Sequence, residues 1–107
     1  MLRLGLLLAV LSAPAPAPSP DTQAACEAAG GTWARFGLLA SELCSLPTAD
    51  AGRTCTNNSD CESVCIAPDG AKPGERVTGR CYARSVTLGT CLPYVVDGVA
   101  QAVLCED

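Results

Sequence analysis

Residues 50–65 read DAGRTCTNNSDCESVC. Three cysteines, Cys55, Cys61 and Cys65, stand among Asn57, Asn58, Ser59 and Asp60, whose short polar side chains bond to nearby backbone and favour tight turns over helix or sheet. Regular structure is not expected to run through this stretch, so its shape must be fixed covalently. The chemistry of the cysteines therefore decides the fold.

Outward from this stretch lie Cys26 and Cys44 on one side and Cys81, Cys91 and Cys105 on the other, eight cysteines in 107 residues. Thiolates bind zinc well, but zinc sites usually carry paired C-x2-C steps, and here the closest pair, Cys61 and Cys65, has three residues between. The chain has no histidine to complete a mixed site. An even cysteine count in a short chain fits disulfides, which restrict the unfolded ensemble where a small core cannot supply the stability. No metal and no cofactor are called for. Spacing alone leaves many complete pairings open; the one expected joins Cys26 to Cys44, Cys55 to Cys65, Cys61 to Cys81 and Cys91 to Cys105.

The N-terminus supports the oxidising compartment this requires. Arg3, the apolar run Leu4 to Leu11 and then Ser12 match the charged, apolar and small-residue zones of a secretory signal. The run is too short to span a bilayer. Ala13, Ala15 and Ala17 are each followed by proline, which disfavours cleavage there and leaves Ser12 and Ala24 as the expected sites. Residues 1–20 are thus read as signal peptide and Ala/Pro-rich linker, and residues 21–107 as a disulfide-stapled domain, secreted or periplasmic, with no transmembrane segment in the mature chain. The net charge of −4 and the lack of a basic cluster disfavour nucleic acid.

The expected architecture is small, disulfide-rich and loop-rich, with short β-strands, a C-terminal β-hairpin and one short N-terminal helix. Ser19 before Pro20 and Asp21 suggests a helix over residues 21–29, stopped by Gly30 and Gly31. Strands are expected over residues 32–36 and 76–83, with loops at 47–53 and 67–75; residues 37–43 carry no clear period. The strongest local signal is Asp97-Gly98 between Tyr94-Val95-Val96 and Val99-Ala100-Gln101, a hairpin over residues 91–105. A two-residue turn would set Cys91 opposite Leu104, so a Cys91–Cys105 bridge demands an extra turn residue or a bulge. Trp33 is expected to be the principal core filler.

Several motifs carry a resemblance. CEAAGGTW from Cys26, DAGRTCTNNSDCESVC, VTGRCY, GTC and DGVAQAVLCED together resemble a family of small secreted bacterial cysteine-rich proteins with no assigned activity. The C-x5-C-x3-C spacing of Cys55, Cys61 and Cys65 is similar to the dickkopf and EB types of secreted cysteine modules. The resemblance implies an extracytoplasmic location and transfers no catalytic or binding residue.

Without histidine, Ser-His-Asp and Cys-His catalysis are excluded. No C-x-x-C redox pair is present. Asp60 and Glu62 are read as solvated turn residues rather than an acid-base pair, and with Asn57 and Asn58 they do not follow a calcium-loop pattern. The expected function is a non-catalytic binding module presenting loops to an extracytoplasmic protein. The alternatives are a structural component of the cell envelope or matrix, and a protease inhibitor. The expected contact segment is residues 67–80, where Lys72, Arg76 and Arg80 give local positive charge on an acidic chain and Pro68, Gly70, Pro73 and Gly74 should make it bulge from the scaffold. Lys72 precedes Pro73, a poor arrangement for an inhibitory bond.

Overall fold

The computed structural model describes Gly5 and residues 19–107; the signal segment, cleavage after Ser12 and nearly all of the linker lie outside the described residues. The elements are helix α1 (Gln23–Ala28), strands β1 (Thr32–Ala34), β2 (Leu43–Ser45) and β3 (Thr54–Cys55), a 3-10 turn (Asn58–Asp60), then β4 (Cys65–Ile66), β5 (Gly79–Cys81), β6 (Cys91–Val96) and β7 (Val99–Cys105). They form an antiparallel pair, β1-β2, and a five-stranded antiparallel sheet in the order β3-β5-β4-β6-β7.

Helix α1 begins later than the Ser19 cap predicts. The Thr22 hydroxyl accepts from the Ala25 amide at 3.2 Å and Thr22 itself is extended, which makes it the N-cap. Gly30, with φ +77°, ends the helix. Cys26 is its one buried residue and is bonded to Cys44 at the centre of β2, so a single bridge holds the helix to the β1-β2 pair.

All four disulfides join the expected partners: Cys26–Cys44, Cys55–Cys65, Cys61–Cys81 and Cys91–Cys105, with no free cysteine. Their sequence separations of 18, 10, 20 and 14 residues correspond to about 3 kcal/mol of restricted unfolded-chain freedom apiece. The core shows why they are needed. It consists of Cys55, Cys65, Ala67, Cys81, Val95 and Ala100, and Val95 is its only large aliphatic side chain. Burying that valine contributes about 2 kcal/mol. Trp33 is not the core filler expected of it: it is half-buried and lies opposite Cys44 in the small sheet, outside the main cluster. Disulfide sulfur fills the space that a larger domain would give to aromatic rings.

The hairpin resolves the register problem by a bulge. Asp97 and Gly98 have φ of 49° and 73°, a two-residue turn with both centres left-handed. Val96 pairs with Val99 and Val95 with Ala100, but Pro93 pairs with Val103, so Gln101 and Ala102 together face Tyr94. That extra residue brings Cys105 opposite Cys91. The turn is also tied to the cysteine-rich stretch: the Asp97 amide donates to Asn57 Oδ1 at 2.8 Å and the Gly98 amide to the Thr56 carbonyl at 3.0 Å.

Candidate functional site

Segment 67–80 does not bulge from the scaffold. Its amides and carbonyls bond to the hairpin: Gly74 donates to the Ala100 carbonyl at 2.8 Å, Ala100 to Glu75 at 2.8 Å and Val77 to Gly98 at 2.9 Å. The proline and glycine residues shape turns at 68–71 and 72–75, and these fold the segment back along β7. The strand expected over residues 76–83 shrinks to β5 plus a single bridge between Arg76 and Val99, because Gly74 to Val77 bond across to the hairpin instead.

Of the expected contact residues, Arg76 and Arg80 lie on one row. From 76 to 81 exposure alternates, with Arg76, Thr78 and Arg80 outward and Val77, Gly79 and Cys81 inward, which spaces the two arginines about 13 Å apart along extended chain. Lys72 stands apart on the preceding turn. The Arg80 guanidinium donates to the Gly52 carbonyl at 3.0 Å. Among the described residues the one ion pair joins Arg35 to Glu42, so Lys72, Arg76 and Arg80 carry no carboxylate partner.

The short polar residues of the cysteine-rich stretch serve the backbone. Asp60 Oδ2 accepts from the Thr56 and Asn57 amides at 2.9 and 3.1 Å, Asn58 Oδ1 from the Cys65 amide at 2.9 Å, and Glu62 Oε2 from the Ala49 amide at 2.6 Å. These bonds staple the backbone of the stretch to itself and to Ala49. The Thr56 and Asn57 amides hold the Asp60 carboxyl below its ordinary value of 3.8. The Thr87 hydroxyl and then the Tyr94 hydroxyl do the same for Glu106, below 4.5. Conversely, burial, reinforced by Glu106, pushes the Tyr94 hydroxyl up.

These shifts set the direction of the acid response. A carboxyl whose folded pKa is depressed favours the folded chain above its unfolded value, and that advantage is lost as pH falls through the folded pKa. Melting temperature is expected to hold from neutral down to about pH 5 and to fall below it. The double variant Asp60→Asn, Glu106→Gln should show a flatter profile between pH 5 and pH 3. Calorimetry across that range checks this; a parent that gains stability on acidification contradicts it.

A cleft of about 240 Å³ lies between the β1-β2 pair and the connection from β5 to β6, lined by Thr32, Phe36, Ser45, Tyr82, Arg84, Val86, Leu88 and Thr90. Thr32 and Ser45 are opposite one another across β1 and β2. The other wall is the connection from β5 to β6, contributing each even-numbered residue from Tyr82 to Thr90. This connection is laced to the chain just beyond β2: the Ser85 amide donates to the Leu46 carbonyl at 2.9 Å, the Thr48 amide to the Ala83 carbonyl at 3.1 Å, and the Leu46 amide to Ser85 Oγ at 2.9 Å. Sequence reasoning missed this wall, although its signal was an alternation of side chains over nine residues.

No protein family, no curated protein and no solved structure matches the chain. Among the described residues no helix is long and apolar enough to cross a membrane. Four disulfides on so small a core are consistent with an oxidising compartment.

Proposed function

We propose that this chain is an exported, non-catalytic binding module, and that the Arg76 and Arg80 row with Lys72 meets an acidic patch on an extracytoplasmic protein. The observation that carries the reading is the fixing of segment 67–80 between Cys65 and Cys81 and against the hairpin, with its three cations unpaired on a chain of net charge −4. A segment already ordered loses less freedom on association. Local positive charge in a negative field orients an acidic partner and raises the encounter rate. The lack of histidine and the use of the turn carboxylates as backbone acceptors support a role without catalysis.

The test is to change Lys72, Arg76 and Arg80 together to Gln, verify the disulfide map and the melting temperature, and measure capture of secreted proteins from the native source. Association at low salt is expected to slow by about tenfold or more. Undiminished association with every specific ligand removes this surface.

One observation favours a second reading, a self-associating structural component. Strand β7 is last in the sheet, segment 74–77 bonds to it only at Val99 and Ala100, and Val103 and Leu104 beyond are 61% and 54% exposed. Sedimentation that shows concentration-dependent assembly, abolished by Val103→Lys, would select that reading over the first.

A further inference from the structure

The cleft between the β1-β2 pair and the β5–β6 connection is a different surface from the basic row, and what it offers a ligand follows from its lining. Phe36, Tyr82, Val86 and Leu88 supply apolar area. Arg84 is the one cation in the lining, no carboxylate lines the cleft, and no described carboxylate pairs with Arg84. Its backbone is fixed by the bridge to Pro47, and the side chain is exposed at the cleft.

The hydroxyls add direction. Ser45 is 3% exposed and lines the cleft. A hydroxyl in the cleft wall can donate to an anion seated there. Thr32 stands beside it as its cross-strand neighbour. The Thr90 hydroxyl donates to the Thr87 carbonyl. The wall thus has a cation and hydroxyl donors at hand beside an apolar surface. That combination suits an anion attached to hydrocarbon, and it suits a carboxylate above all because guanidinium pairs with one through two parallel hydrogen bonds. A volume of 240 Å³ equals about eight waters' share of liquid, the size of one amino acid rather than of a larger metabolite.

We propose that this cleft binds an apolar carboxylate of the size of a single residue, with Arg84 pairing with the carboxylate, Ser45 donating to it, and Phe36, Tyr82, Val86 and Leu88 covering the hydrocarbon. Two sources present this chemistry: a free or N-acylated apolar amino acid, and the last residue of a polypeptide. The site does not depend on Lys72, Arg76 or Arg80, so it stands or falls separately from the protein-binding role proposed above.

The experiment is an amide-resonance titration of the oxidised protein with N-acetyl-leucine, with its carboxamide, and with a short neutral peptide ending in leucine as free acid and as amide. The acids are expected to shift resonances of the cleft lining, and each amide to bind about tenfold or more weakly than its acid, the usual worth of a hydrogen-bonded charge. Arg84→Gln should abolish the preference for acid over amide, Arg84→Lys should restore part of it, and Arg53→Gln, outside the lining, should leave it intact. A merely structural role for Arg84 would not move that preference. Tighter binding of the peptide acid than of N-acetyl-leucine upholds the site and assigns it to chain termini; the reverse order upholds it and assigns it to free acids. Equal binding of acid and amide, or no shift in the cleft with either acid, overturns the proposal, and neither outcome depends on a variant folding.

Discussion

Replacement of Gly79 by alanine is expected to lower the melting temperature by more than any other single-methyl change in the sheet. Gly79 is buried in β5, and a Cβ there would lie 2.6 Å from the Ile66 carbonyl oxygen, 2.7 Å from Cys65 Sγ and 2.9 Å from Val95 Cγ2. The first is backbone of the neighbouring strand, the second is held in a disulfide, and the third is the largest fully buried side chain. None can swing aside, so the overpacking cost reaches about 3 kcal/mol or more. For a domain of this size that is a fall of about 12 °C or more. Gly70 provides the contrast: nothing lies within 4 Å of its Cβ position but its φ is +80°, so Gly70→Ala should cost only the left-handed backbone penalty of about 1 kcal/mol. Thermal melts of the two variants check the ordering, and a Gly79→Ala protein within a few degrees of the parent would show that the strands separate more easily than described.

The second large effect concerns the hairpin. Exchanging the last two β7 positions, Leu104→Cys with Cys105→Leu, is expected to leave two free thiols. In a regular two-residue hairpin position 104 would face Cys91 and the exchange would improve the bridge. With the bulge, Leu104 faces Leu92, and a cysteine there points to the opposite side of the ribbon from Cys91. Losing the 14-residue loop closure costs about 3 kcal/mol. Deleting Ala102, by contrast, removes one of the two residues opposite Tyr94 and should keep Cys91 facing Cys105 in a regular ladder. Intact mass after alkylation without reductant distinguishes them: two adducts for the exchange, none for the deletion. A bridged exchange variant, with no adduct, would refute the bulge.

The legible parts of this fold were those in which chemistry is local. Asp97-Gly98 announces its turn because few other dipeptides tolerate two left-handed centres, and the cysteine spacings allow short loops that the structure closes. Strands β3 and β4, of two residues each, had no period to detect; they are strands because β5 passes between them and because Cys55 and Cys65 are bonded. Segment 67–80 looked like a projecting loop because its prolines and glycines forbid a long element, but a broken element can still bond edgewise to a hairpin. The N-cap moved from Ser19 to Thr22 since either hydroxyl could serve, and position relative to Cys26 decides. The cleft was hidden for another reason: its two walls are distant in sequence, and alternation over 82–90 signals only that one side of the chain is covered.

The neighbouring sulfurs of the central cysteines bear on how the chain reaches this state. Cys65 and Cys81 are register partners across β4 and β5, yet each is bonded elsewhere, while the sulfurs of Cys55, Cys61 and Cys81 lie within 4.8 Å of one another. A thiolate released from one bridge is therefore within reach of the other, and its attack would expel a second thiolate in turn. The isomer nearest at hand joins Cys65 to Cys81 and Cys55 to Cys61, with no strand displaced far. Oxidation of the reduced chain thus faces a choice between two covalent isomers, and a shuffling catalyst has more to correct in this quartet than at Cys26 or Cys91.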